Sequence, residues 1–157
     1  MKRWIILLAL FSMKNLALAQ QATFPEQTRI YIVRHAEKES GRDPVLTEAG
    51  KKRAGDLMRN LIDKDIQRIY VTAYRRSWMT ADSLRIQYKI DTVVYDVDTT
   101  GMGLLAKIKV HNDFGKSILV VGHTNTIPSI LRALGVENFS VIELHTNAVF
   151  KTDRKSV

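Results

Sequence analysis

Arg34, His35 and Glu37, in RHAE, directly follow the apolar run IYIV at 30–33, and His123, in GH, closes the run SILVVG at 117–122. Arg75 lies just past a third run, RIYV at 68–71, and Asp96 and Asp98 end a fourth, DTVVYDV at 91–97. Two imidazoles, two guanidiniums and a carboxylate suit one ligand in particular, a phosphoryl group. Arginine grips phosphoryl oxygens through a planar fork of donors, and a neutral imidazole nitrogen can attack phosphorus and carry the group covalently. Cations beside a histidine oppose a further positive charge on its ring, which lowers its pKa and keeps the attacking nitrogen unprotonated. Arg34-His35 at the end of an apolar strand therefore reads as a nucleophile on a rigid mount.

Those residues work together only if the chain brings them to one edge, and its alternation of elements does so. RIYIV (29–33), RIYV (68–71), DTVVYDV (91–97) and SILVVG (117–122) read as strands. Between them, 46–64 reads as a helix with Thr47 as N-cap and Ala54, Leu57, Met58, Leu61 and Ile62 on one face, 75–88 as a second and 103–111 as a short third. Pro128 sits in the first turn of a fourth, where its missing N–H costs nothing. FSVIEL and NAVFKT read as two closing strands joined by a turn at HTN. Such β-α alternation predicts an α/β fold, a three-layer α/β/α sandwich with a mostly parallel central sheet. In open parallel sheets ligands bind beyond the carboxyl ends of the strands, which is where every candidate residue falls.

The 157 residues, 45% hydrophobic and 25% charged, suffice for a single core and show no repeat or linker. The first twenty stand apart: Lys2 and Arg3 precede an apolar run from Trp4 to Phe11, and ALA at 17–19 matches a cleavage site, the pattern of a secretory signal peptide. The run is shorter than the ~20 residues a spanning helix needs. The expectation is a signal over 1–20 and a single domain over 21–157, exported from a bacterium to the periplasm or medium, with no stable membrane association after cleavage. With no cysteine there is neither a lipidation site nor a disulfide. Losing Lys2, Arg3 and Lys14 takes the basic residues from 24 to 21 against 16 acidic ones, so the net charge falls from +8 to +5. That excess is spread along helices without interleaved exposed aromatics, which argues against nucleic acid as a partner. It also draws anionic substrates toward the site.

The sequence resembles the histidine phosphatase, or phosphoglycerate mutase-like, superfamily. The resemblance rests on VRHAEK at 33–38, DPVLTEAGKKRA at 43–54, VTAYRRSWMTADSL at 71–84 and VVGHTNTIPSIL at 120–131, and is closest to the short single-domain branch that includes phosphohistidine phosphatases. It implies that His35 is phosphorylated, that Arg34, Arg75 and His123 complete the phosphate pocket, and that Thr47 and Gly50 belong to a structural helix start. The proton donor is left among Asp96, Asp98 and Glu37, with Asp96 favoured because it lies nearest its strand end. His111 and His145, in polar surroundings, read as solvated, and Trp78, Met79 and Leu84 as helix packing.

The expected activity is a metal-independent, cofactor-free hydrolysis of a small phosphorylated substrate or a phosphoprotein. Histidine spacing offers no HxH or HExxH metal motif. DVDTT matches the DxDxT signature of haloacid-dehalogenase-like phosphatases, but lies far from the opening strand and lacks the later paired carboxylates. Two alternatives stand beside hydrolysis: a phospho-ligand-binding module without turnover, and a phosphomutase, for which the short inter-motif segments leave little material for a lid.

Overall fold

The structure, a computed structural model, describes residues 27–136 and 150–154. Its elements run β1 (Thr28–Arg34), α1 (Glu48–Leu61), β2 (Arg68–Val71), α2 (Arg75–Tyr88), β3 (Thr92–Val94), α3 (Met102–Val110), β4 (Ser117–Gly122), α4 (Ile127–Ala133) and β5 (Phe150–Arg154). The sheet order is β3-β2-β4-β1-β5; β5 alone is antiparallel, hydrogen-bonded to β1. This is the α/β fold with a mostly parallel sheet that the alternation predicts.

Strand pleat divides the core into two layers. Ile30, Ile32, Tyr70, Ile118 and Val120 point to one face, where Leu104 and Ile108 of α3 and Ile130 and Leu131 of α4 cover them. Tyr31, Val33, Ile69, Val71, Leu119 and Val121 point to the other, against Leu57 and Leu61 of α1 and Ala81 and Leu84 of α2. Both faces of β4 are buried, so its sequence is apolar without alternation.

Helix α1 starts where its cap predicts: the Gly50 N–H donates to the Thr47 hydroxyl at 3.0 Å. The Thr47 N–H donates to the Glu37 carbonyl at 3.0 Å, and a Cβ on Gly50 would run into that same carbonyl. The helix start is thus pressed onto the segment that follows His35. The helix is shorter than 46–64, because Leu46 bridges to Lys38 before it begins and the chain turns after Leu61. Ile62, expected on the inner face, is the C-cap and lies exposed.

The third strand is also shorter than expected. It ends at Val94 because its partner β2 ends at Val71; the Tyr95 N–H still reaches the Val71 carbonyl at 2.9 Å, and the chain then departs. Tyr95 turns into the core and its hydroxyl donates to the Val121 carbonyl at 3.2 Å.

At the opposite, amino end of the strands, fully buried Asp113 accepts from Arg68 Nε at 2.9 Å, Tyr70 Oη at 2.6 Å and Lys116 Nζ at 2.6 Å. Burial alone would raise its pKa, but these donors hold the carboxyl below its ordinary value, and together they tie β2 to the turn before β4. Of the two closing strands expected from sequence, β5 contains part of NAVFKT; FSVIEL, the HTN turn and the signal segment over 1–20 lie outside the described residues. No helix among the described residues is long and apolar enough to cross a membrane.

Candidate active site

Parallel pairing of β1 with β4 sets the two histidines side by side. Arg34 is in register with Gly122, and the His35 N–H donates to the Gly122 carbonyl at 3.1 Å, so His35 and His123 leave adjacent central strands at the same level. Their ring centroids are 5.2 Å apart and both residues are buried.

His35 Nδ1 lies 2.8 Å from the Ala36 carbonyl. A carbonyl only accepts, so Nδ1 carries the ring proton and Nε2 keeps its lone pair. The Ala36 N–H in turn donates to the Thr80 hydroxyl at 2.9 Å, which holds the turn against α2. Burial lowers the His35 pKa despite the opposing pull of the Ala36 carbonyl, and the positive charges of Arg76, Arg34 and Lys38 lower it further. His123 is taken down to about 4, by burial first and then by Arg76, His35 and Arg34. Both rings are neutral near neutrality.

The guanidinium in the pocket belongs to Arg76, and the expectation for Arg75 is corrected. Arg75 is exposed, and its backbone N–H donates to Asp43 Oδ1 at 3.1 Å at the start of α2. Arg76, one residue on, is turned about 100° around the helix, onto the row that continues through buried Thr80 and Leu84. That row was readable as the helix's inner face. The Arg76 guanidinium lies over the Tyr74 ring, 4.1 Å from its centroid, with Nη1 3.9 Å from Asp43 Oδ1. Its Nε is buried and has no hydrogen-bond partner.

His35, His123 and Arg76 share a cavity of about 270 Å³, walled by Tyr74, Val97 and the Thr124–Asn125 turn after β4. Tyr74 also meets His123 edge-on, with centroids 5.4 Å apart. Arg34 is exposed at the end of β1; it does not line the cavity, yet its charge lowers the pKa of both histidines. Among the described residues no three His, Asp or Glu side chains are grouped as a metal would need.

The three candidate carboxylates occupy different environments. Asp98 accepts from the Thr100 N–H and hydroxyl, both at 2.7 Å, and from the backbone N–H groups of Gly101 and Gly103; these bonds take its pKa to about 2. It shapes the turn into α3. Glu37 accepts from Arg53 Nε at 2.7 Å, a bond that holds its carboxyl below the ordinary value. Asp96 is exposed, two residues beyond β3 and next to cavity-lining Val97. Of the remaining sequence readings, His111 is exposed and Trp78 packs against the α1–α2 layer, as expected; His145 lies outside the described residues.

Fold and site together define an α/β protein with paired neutral imidazoles and an arginine at the carboxyl edge of its sheet. The family model of the histidine phosphatase superfamily (branch 1) matches residues 30–98. A solved structure of SixA from Agrobacterium tumefaciens, a candidate phosphohistidine phosphatase, shares 26% identity and a TM-score of 0.59, covering 70% of this chain and 78% of that one. SixA from Nakamurella multipartitia, described likewise, is 22% identical with a TM-score of 0.60 over 69% of this chain and 66% of its own. A mycobacterial glucosyl-3-phosphoglycerate phosphatase shows the same fold at 15% identity and a TM-score of 0.58, over 69% and 80% of the two chains. No curated protein matches the chain in sequence. The sequence match over residues 30–98 and the shared fold make the chain similar to the histidine phosphatase superfamily, and to the short SixA-like structures in particular, which supports a phosphatase- or mutase-type function.

Proposed function

We propose that the protein is a metal-independent phosphatase that passes a phosphoryl group from substrate to His35 and then to water. The observation that carries this is the His35 tautomer: Nδ1–H is committed to the Ala36 carbonyl, and the Nε2 lone pair is left for attack. In the first step Nε2 forms a bond to phosphorus while the bond to the leaving group breaks. In the second a water oxygen attacks phosphorus, the P–N bond breaks, phosphate leaves and His35 is restored. Arg76, with its buried Nε otherwise unpartnered, and His123 hold the phosphoryl oxygens, with Arg34 adding positive potential. The substrate is a small phosphomonoester or a phosphohistidine-bearing protein. On the strength of the Trp4–Phe11 run and the ALA at 17–19, the enzyme works outside the cytoplasm.

Hydrolysis of p-nitrophenyl phosphate across pH, with and without EDTA, tests this reading. Protonation of His35 removes the lone pair, so activity falls as pH drops through the His35 pKa. That pKa lies below the ordinary 6.5, so the acid limb of kcat/KM is expected below 6.5 and untouched by EDTA. Half-loss at 6.5 or above, or loss with EDTA, overturns the reading.

Asp96 is the proposed proton donor, because Asp98 and Glu37 are committed to bonds that favour their ionised forms. A positioned acid is worth ~10^2 to 10^4 in rate when the leaving group is a poor one. Asp96→Asn is therefore expected to slow hydrolysis of alkyl phosphates while sparing p-nitrophenyl phosphate. Asp98→Asn should lower the melting temperature instead, since an amide nitrogen cannot accept the Gly103 N–H as Oδ2 does, nor, with the amide turned over, the Thr100 and Gly101 N–H groups that Oδ1 accepts. Equal behaviour of Asp96→Asn on both substrates removes Asp96 from the role.

A further inference from the structure

Behind the cavity lies a short row of buried polar groups that the two-step transfer does not by itself require. Ser77 Oγ is 2.7 Å from Thr72 Oγ1, and Thr72 Oγ1 is 3.0 Å from His123 Nε2. Ser77 and Thr72 have no solvent exposure, and His123 is 6% exposed. Water therefore does not reach the Ser77 or Thr72 hydroxyl to take up a stray proton. The direction of the row follows from where each proton can go. If His123 donated through Nε2, Thr72 would have to donate to Ser77, and the Ser77 proton would be buried without an acceptor, since its hydroxyl has no other hydrogen-bond partner among the described residues. If both neighbours donated to Thr72, the Thr72 proton would be stranded in the same way. One direction satisfies every group: Ser77 donates to Thr72, and Thr72 donates to His123 Nε2.

A neutral imidazole that accepts at Nε2 carries its proton on Nδ1. We propose that Thr72, backed by Ser77, is a positioning residue that fixes His123 as the Nδ1–H tautomer, so that the ring offers a donor, and not a lone pair, to a phosphoryl oxygen in the cavity. This rests on the phosphoryl-transfer reading of the site. It adds a specific division of labour: both rings carry the proton on Nδ1, but His35 spends that proton on its own backbone and shows Nε2 to the ligand, whereas His123 spends Nε2 on Thr72 and is left with Nδ1–H.

The test is nitrogen NMR of the histidine-labelled resting enzyme without phosphate, joined to steady-state kinetics on p-nitrophenyl phosphate. In wild type His123 should show a protonated Nδ1 and an unprotonated Nε2. Thr72→Val keeps the shape and removes the hydroxyl; it should shift His123 toward a mixture of tautomers and lower kcat/KM roughly 10- to 100-fold, the effect of one lost donor to the transition state. Thr72→Ser, which restores the hydroxyl, should recover both readouts, so that a mere packing defect in the valine variant is told apart. A wild-type Nε2–H tautomer, unchanged His123 shifts in Thr72→Val, or a serine variant as impaired as the valine one overturns the proposal. Because the tautomer is read without turnover, its failure is distinct from a failure of His35 to become phosphorylated, which only trapping of the intermediate can show.

Discussion

His35→Ala is expected to reduce turnover by about 10^3-fold or more, the effect of removing a covalent nucleophile. No other group can take its place. His123 is the nearest imidazole, with its centroid 5.2 Å away, but its Nε2 is engaged by Thr72. The fold should survive, because the His35 side chain lines the cavity and its one side-chain hydrogen bond is local, to the carbonyl of the next residue; an unchanged melting temperature checks this. Rapid quenching of wild type with labelled substrate should trap a phosphoprotein that is acid-labile and base-stable, as a phosphoramidate is. An acid-stable label on Asp96, the first aspartate of the DxDxT match, would overturn the assignment.

A comparable loss is expected from Arg76→Lys, and little from Arg75→Lys. Lysine keeps the charge but not the planar fork, nor the flat face that now lies on the Tyr74 ring. A point charge cannot reproduce two parallel contacts to phosphoryl oxygens, so kcat/KM should fall about 10^2-fold. Vanadate, which resembles the phosphoryl group in its transition state, should bind correspondingly less tightly. Arg75 contributes only its backbone N–H to Asp43 among the described contacts, and lysine leaves that donor in place. A near-normal Arg76→Lys alongside an impaired Arg75→Lys would return the role to Arg75.

The contrast between these neighbours shows where the sequence was readable. β2, α2 and β4 run as read from the sequence, because their apolar runs and helix period are bounded by abrupt changes of composition. Both histidines were legible for the same reason: each ends a central strand, and parallel register does the rest. Arg76 is hidden behind Arg75, the first arginine after β2, and only the helical row through Thr80 and Leu84 points to the second. The hydroxyl row on His123 was not legible at all, since Thr72 and His123 are 51 residues apart and nothing local couples them. Nor was the division between Asp96 and Asp98, which depends on a turn whose backbone donors gather on one carboxylate. The third strand was overread because its length is set by its partner and not by its own β-branched run.

The strand order also bears on how such a chain comes together. β1 pairs only with β4 and β5, and both arrive later in the chain; β1 and β2, though consecutive strands, never touch through hydrogen bonds. A nascent chain that has emerged only as far as Asp98 thus holds one isolated strand and one edge pair, with no continuous sheet. Ser117–Gly122 is a keystone: its insertion between β1 and β2 closes the sheet, contributes side chains to both apolar layers and delivers His123 to His35 in a single event. Folding of this kind waits on contacts distant in sequence, which slows it. The catalytic pocket and the cooperative core then appear together, so a partly assembled enzyme with a working site is not a state this topology offers.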